Sequence, residues 1–394
     1  MFESMYFYLM IVVIVFALGD IVGHFTKGKL SAMMIVMLLF LVGFLTGVFP
    51  SAIIAQAGLT QLVNLAIAMV LFNMGTTINI RQLIREWRTV CMAALCMVAS
   101  CVLMLAAIPL IGSDTVLIGM PAINGAAMAT SLMTAAATEK GLTTAAALCA
   151  VIYSVQKLVG APIASAMGLK YARKLVADFR TDPEAKMAAF QAKQTGITSD
   201  KVPFYEKHKE LYTANINIAI VCIGAWLARC LGDLTPVNYA IWALLLGSFS
   251  GIGGYVPPKP LQRSNSYGLL MIAIFGSIIP SLAAVSLSDL GTMAIQTIIL
   301  FALAVLGIFI VSYLLPIGKW LVGDKDLAMG IGVEQFLGFP SNVVICREVA
   351  EAVGETPDEK TYIEDTLNVP YVVGGITVVT ILSVLLAGFV ISLL

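Results

Sequence analysis

Residues 333–342 read VEQFLGFPSN. The chain around them is apolar, yet these positions hold a carboxylate (Glu334), two amides (Gln335 and Asn342), a glycine (Gly338) and a proline (Pro340). Proline removes a helical N–H and biases the residue before it away from the helical region, while glycine permits a reversal that other residues resist. The helical run therefore breaks here, and it breaks beside an acid.

What surrounds the break is a membrane. The 394 residues are 59% hydrophobic and 12% charged, whereas soluble domains carry roughly 25% charged residues. Lys+Arg and Asp+Glu both number 23, so net charge names no partner and gives no sign of nucleic-acid binding. Seven cysteines lie almost entirely inside apolar runs, without CxxC or Cys/His spacing, and read as small buried hydrophobes. The N-terminal MFESMYFYLMIVVIVFALGDIVGHF is acidic ahead of its apolar run, which suits a first span better than a signal peptide.

A helix that crosses a bilayer needs about 20 apolar residues. Such runs fall at 5–23, 30–49, 59–78, 90–111 and 142–176, and again at 214–231, 238–256, 265–287, 292–316 and 364–393. Two further runs, 115–138 and 326–350, are interrupted by small and polar residues. Basic residues concentrate in the loops after spans one and three, around Lys259 and Arg263, at Lys319 and Lys325, and through 170–209, while 50–58, 112–114 and 288–291 hold none. If both interrupted runs enter and leave on one side, these basic loops share the cytoplasm, as the positive-inside rule requires. The expected fold is thus an all-α integral membrane protein of two inverted repeats. Each repeat, 1–176 and 214–394, has five transmembrane helices plus a re-entrant hairpin, with a cytoplasmic linker at 177–213. Both termini are expected outside, in a multi-pass protein of the plasma or inner membrane.

Inverted repeats with broken helices near the bilayer midplane belong to secondary transporters. MPAINGAAMATSLMTAAA (120–137) and the opening stretch supply the breaks. Small residues there also suit tight helix packing, but an ionisable group within a span points to function. Lys157 is the one cation deep in an apolar run. It has three readings: a partner for Glu334, a contact for an anionic substrate, or a side chain that snorkels to the interface. Asn73 is deep enough in its span to offer oxygen to a cation, and Asn368 precedes Pro370 and the Gly374–Gly375 pair. Asp365 and Asn79 lie near span ends, where solvation accounts for them.

Three stretches carry a family resemblance. LFNMGTTINIRQL (71–83), SVQKLVGAPIASAMGLKYARK (154–174), and GFPSNVVICREVAEAVG (338–354) followed by LNVPYVVGG (367–375) are similar to segments of the glutamate–sodium symporter family and, more distantly, of the 2-hydroxycarboxylate transporters. The resemblance spans nearly the whole chain and implies the inverted-repeat fold, an elevator-like motion and a homodimer. Glu334 departs from it, standing where that family is uncharged.

The expected function is secondary-active transport, a Na⁺-coupled uptake of a small carboxylate or amino acid such as glutamate. The alternative is a cation/proton antiporter working through Glu334, and a non-transporting scaffold or sensor is a third reading. Candidate substrate-binding residues are Asn124, Gly125, Ser131, Lys157, Gln335, Ser341, Asn342 and Asn368; candidate ion-binding residues are Asn73 and Glu334. Expected partners are an anionic or zwitterionic small molecule, Na⁺ or H⁺ as coupling ion, and membrane lipid, with no cofactor. No HExxH, GxSxG, Walker A or GxGxxG occurs, so enzymatic chemistry is not expected.

Overall fold

The computed structural model describes residues 4–25, 32–77, 80–187, 203–235, 237–276, 278–283, 287–338 and 341–394. Among them there is no strand. The longer helices are α1 (Met5–Phe25), α2 (Ala32–Leu45), α3 (Leu59–Gly75), α4 (Trp87–Leu105), α5 (Ser113–Asn124), α6 (Ala126–Glu139) and α7 (Thr143–Phe179). The second half holds α8 (Ala214–Leu234), α9 (Tyr239–Ile252), α10 (Tyr267–Gly276), α11 (Leu287–Phe309), α12 (Lys325–Val333), α13 (Ser341–Val353), α14 (Pro357–Gly375) and α15 (Ser383–Leu393).

Six described stretches are long and apolar enough to cross a membrane: Met5–Val22, Trp87–Leu105, Thr143–Phe179, Ala214–Leu234, Leu290–Leu314 and Pro357–Leu393. Large apolar side chains such as Val98, Val102, Ile295 and Ile298 are exposed on their outer faces. In water that arrangement would be unfavourable, and in lipid it is the norm. The protein is therefore an all-α membrane protein. The expected spans at 30–49, 59–78, 238–256 and 265–287 appear as shorter apolar helices, Ile35–Leu45, Leu59–Gly75, Tyr239–Ile252 and Tyr267–Leu282. Local chemistry explains one shortening. After Leu45 the chain folds back, the Phe49 N–H donating to the Gly43 carbonyl at 3.0 Å. The Phe49 ring then lies where a Cβ on residue 43 would stand.

Helix starts follow side-chain capping. Thr213, Asn238, Asp324 and Thr356 each turn an oxygen onto a first-turn N–H. At Thr356, Glu359 completes a capping box, which sets the start of α14 seven residues ahead of the span expected at 364–393. That closing span runs through a π-helical turn, Ile376–Leu382, into α15.

In the packing, α3 lies against α8, α9 and α10, α1 lies against α2, and α4 lies along α11. The long helix α7 touches both α5 and α6 and both α12 and α13. Its start joins a satellite core, through Ala150 and Tyr153, with Phe16, Phe40 and Ile279. The linker continues α7 to Phe179, and residues 188–202 lie outside the described residues, as does Asn79. The linker's end is tied down by the Tyr205 N–H bonding the Gly254 carbonyl (3.1 Å) and by the Tyr212 hydroxyl donating to the Tyr255 carbonyl.

Candidate functional site

The 37 residues of α7 make a rod of about 55 Å at about 1.5 Å per residue. Contacts along it give the level of everything packed beside it. Near its start, the Cys149 thiol sits 3.9 Å from the Ile118 carbonyl of α5. If α5 and α6 formed one straight rod, Glu139 would lie on the order of 40 Å from Ser113. Cys149, soon after Glu139 in the chain, would then be far from Ile118. The two arms instead double back, turning at Asn124–Gly125–Ala126, where Ala126 takes φ +47°.

At the other end of α7, Lys174 Nζ meets Asp324 and Asp326, the cap and first turn of α12, at 2.6 Å each. Arg180 meets Glu355 at 3.0 Å and Glu359 at 2.7 Å, just after α13. Lys174 and Arg180 are separated by only about 9 Å of helix, so this second segment starts and finishes at one level. Between its ends it travels far: a Cβ on Gly160 would stand 2.8 Å from Phe336 Cβ and 3.1 Å from the Leu337 side chain. Gly160 is about 21 Å back along α7 from Lys174.

The two segments thus enter from opposite ends of α7 and turn near its middle. With Ile118 level with Cys149, Asn124 reaches the level of about residue 155. The turns touch. A Cβ on Gly338, which has φ +68°, would lie 3.7 Å from Ala126 Cβ and 3.7 Å from the Val379 side chain. Val379 belongs to the π turn, a wider helical ring of the kind often found at functional sites.

Around this meeting point, polar side chains are buried without partners. Glu334 and Gln335 are 0% exposed, and none of their four carboxylate and amide atoms has a hydrogen-bond partner among the described residues. The same holds for both amide atoms of Gln156, also 0% exposed, on α7. Gln156 lies one turn from Gly160, on the face that Phe336 and Leu337 cover. Glu334 Oε2 comes within 3.7 Å, and Asn342 Nδ2 within 3.1 Å, of the position a Cβ on Gly375 would take. Asn342, Glu334 and the Gly375 backbone therefore share one small volume. Native proteins leave few buried polar atoms unpaired, and each exception calls for a reason.

The sequence-predicted residues divide into three groups. Glu334, Gln335 and Asn342 converge at the turns; the Asn342 amide donates weakly to the Tyr371 carbonyl (3.5 Å) and its Oδ1 accepts from the Val343 N–H. Ser341 opens α13 with its N–H bonded to the Gly338 carbonyl, and Phe339 and Pro340 lie outside the described residues. Gly125 belongs to the first turn, where its lack of a side chain admits Ser383.

A second group is engaged with the protein. Asn124 Nδ2 donates to the Met120 carbonyl (2.8 Å) and to Cys101 Sγ (3.5 Å), and its Oδ1 accepts from Ser100 (3.5 Å). Ser131 donates to the Ile274 carbonyl of α10 at 3.3 Å. Asn73 Oδ1 accepts the Leu261 N–H at 2.9 Å and fastens the start of the short helix Pro260–Arg263, so its oxygen is already occupied.

The third group has no contact with the cluster of Glu334, Gln335 and Asn342 among those described. Lys157 follows Gln156 by about 100° of helical turn and shares the face of Tyr153, which packs in the satellite core. Glu334 has no ion pair with it. Asn368 is half-buried on α14, with its Oδ1 unpaired among the described residues.

Sequence reasoning missed Gln156, Ser383, Tyr371 and the π turn. Gln156 had a signal, an amide in an apolar run, but Lys157 beside it carried the more conspicuous charge. Tyr371 had none: it is fully buried against Gly330 and Gly168, its hydroxyl donating to the Ala164 carbonyl at 3.2 Å. Compared with known proteins, the chain matches no family model and no curated sequence.

Proposed function

We propose that this chain is a secondary-active transporter made of two inverted repeats, 1–176 and 214–394, each with five spans and a re-entrant hairpin, joined by the cytoplasmic linker 177–213. The observation that carries the reading is the meeting of two doubled-back segments, from opposite ends of α7, at a cluster of unpaired buried polar groups. Non-helical backbone at membrane depth is tolerated where it faces protein or a water-filled cavity. Carriers place substrate where such breaks meet. Helices α6 and α13 begin at the turns and α5 ends there, so free N–H groups and free carbonyls converge on one volume.

In this reading the cargo is a small carboxylate or amino acid such as glutamate, taken up with Na⁺ by an elevator-like motion of a homodimer, as the symporter resemblance implies. Uptake into proteoliposomes is the test. Wild-type protein should accumulate labelled solute only under an imposed Na⁺ or H⁺ gradient. Asn342→Ala should insert and fold yet lose accumulation, and wild-type rates in that variant would remove the site assignment.

The unpaired Glu334 carboxylate favours a second reading, exchange of a cation for a proton. A buried carboxylate without hydrogen bonds stays charged only with a cation beside it, because its desolvation is otherwise uncompensated. Proton release on addition of Na⁺, lost in Glu334→Gln and independent of any organic solute, would select that reading.

A further inference from the structure

We infer that Gln156, Gln335 and Glu334 form a subsite for the protonated amine of a solute that lacks a second carboxylate, which makes plain dicarboxylates poor cargo. This rests on the transporter reading above and narrows its substrate to solutes other than glutamate, which carries a second carboxylate.

The charge balance of the cluster comes first. Its ionisable member is Glu334, and the groups described with it are amides: Gln156 from α7, Gln335 beside it and Asn342 across from it. Lys157, the next residue of α7 after Gln156, forms no ion pair with Glu334. The other bases fixed along α7 sit at its far end, Lys174 and Arg180 being held by Asp324, Asp326, Glu355 and Glu359. A dicarboxylate brought to this volume supplies no cation, so Glu334 either stays protonated and unpaired or, once ionised, faces a second anion. Like charges in a desolvated place repel strongly. An ammonium instead supplies the counter-ion and the donors that Glu334 lacks.

The amides then set the shape of what accompanies the amine. A glutamine amide offers two N–H donors and a carbonyl acceptor, and both amides are fully buried with every one of these atoms unsatisfied. The two glutamines do not bond one another. They suit a ligand with donors and acceptors of its own. A carboxylate on the same solute finds its place at the first-turn N–H groups of α6 or α13, which begin at the turns. A monocarboxylate amino acid and a simple amine share the feature that matters, a cationic nitrogen with one or no carboxylate.

The full chain in detergent and in proteoliposomes tests this with three probes: glutamine as a net-neutral amino acid, putrescine as an amine without carboxylate, and succinate as a dicarboxylate without amine. The expected result is thermal stabilisation and uptake with glutamine or putrescine and neither with succinate. Glutamine alone acting would show that a carboxylate is also read; putrescine acting would show that the amine suffices; both support the inference. Gln156→Ala should raise KM about tenfold or more, the loss of one or two hydrogen bonds, in protein that still folds and inserts. Gln156→Asn should recover part of that loss. Transport of succinate without stabilisation by either amine overturns the subsite while leaving the transporter reading in place, as does wild-type KM in Gln156→Ala. Folded protein that moves and binds none of the three, and no glutamate either under any gradient, overturns the transporter reading and this inference with it.

Discussion

The two turns that meet beside the π turn each carry a residue of positive φ, Ala126 and Gly338, and differ in their side chains. At the first, Asn124 has every polar atom engaged, and Thr130 donates to the Ala126 carbonyl at 2.7 Å. At the second, Glu334 and Gln335 bring four polar atoms without a partner among the described residues. Buried and paired, a polar side chain fixes a structure; buried and unpaired, it costs stability that only a ligand, a proton or a rearrangement returns. The contrast points to a division of labour, with the first turn as a fixed wall and the second as the responsive one.

The sharpest way to break the contrast is through the glycines. A Cβ on Gly125 would collide with Ala129 Cβ and Ser383 Cβ and lie 2.6 Å from Ser383 Oγ. At Gly338 the nearest atoms stand at 3.7 Å, leaving only the cost of φ +68°. Gly125→Ala should therefore lose roughly 2–3 kcal/mol, as overpacked sites do, and Gly338→Ala about 1–2 kcal/mol of conformational strain. Thermal unfolding in detergent measures both. Equal losses would mean that the first turn yields as readily as the second and is no wall.

Next in size is the acid itself. Glu334→Leu removes an unpaired carboxylate from the interior and should raise stability by about 1–2 kcal/mol. Solute uptake by the same variant should fall at least about a hundredfold, because the buried group that meets the ligand is gone. A variant that is less stable and still active would show that Glu334 belongs to the framework, as Asn124 does.

Much of this was legible in the amino-acid sequence. Gly, Pro and Asn in AINGAA and VEQFLGFPSN mark both breaks, because backbone that leaves the helix needs residues that permit it. Apolar run length gave the membrane class, but not which runs become short helices. Folding back at Phe49 depends on a ring seated on Gly43, a contact six residues apart that leaves no mark in the apolar pattern. At the site, Glu334 and Asn342 were visible as polar residues beside a break. Gln156 becomes part of the site only when α7 is laid against Phe336, and the π turn at 376–382 carries no composition of its own. Asn73 shows what depth alone leaves out, since its oxygen accepts the Leu261 N–H. Depth in a span is readable, but the direction a side chain faces depends on packing.

Asn124→Ala is the reciprocal of the Glu334 experiment. It removes bonds to Met120, Cys101 and Ser100 and leaves the Ser100 hydroxyl without that acceptor. Stability should fall by about 1–2 kcal/mol, and uptake per folded molecule should fall less than in Glu334→Leu. If Asn124→Ala keeps its melting temperature and loses all uptake, the first turn contacts the ligand after all and the two turns share the work.

The smallest effect is expected where the second segment is tied to the end of α7. Lys174 bridges Asp324 and Asp326, and the Tyr313 hydroxyl donates to Asp326. Asp324 also caps α12 through the Asp326 and Leu327 N–H groups, so it has duties besides the ion pair. Lys174 is half exposed, and solvent-screened pairs contribute only about 0.2–1 kcal/mol. Lys174→Met should therefore lower stability by less than about 1 kcal/mol, and the loss should shrink as salt screens the two carboxylates. Adding Asp326→Asn to Lys174→Met should recover part of it, since the remaining repulsion between the acids is relieved. Neither change should alter the KM for solute, because this anchor holds the base of the segment about 21 Å along α7 from the level of its turn. A change in KM with unchanged stability would mean that the base moves when the turn binds, and the responsive wall would then include all of α12 and α13.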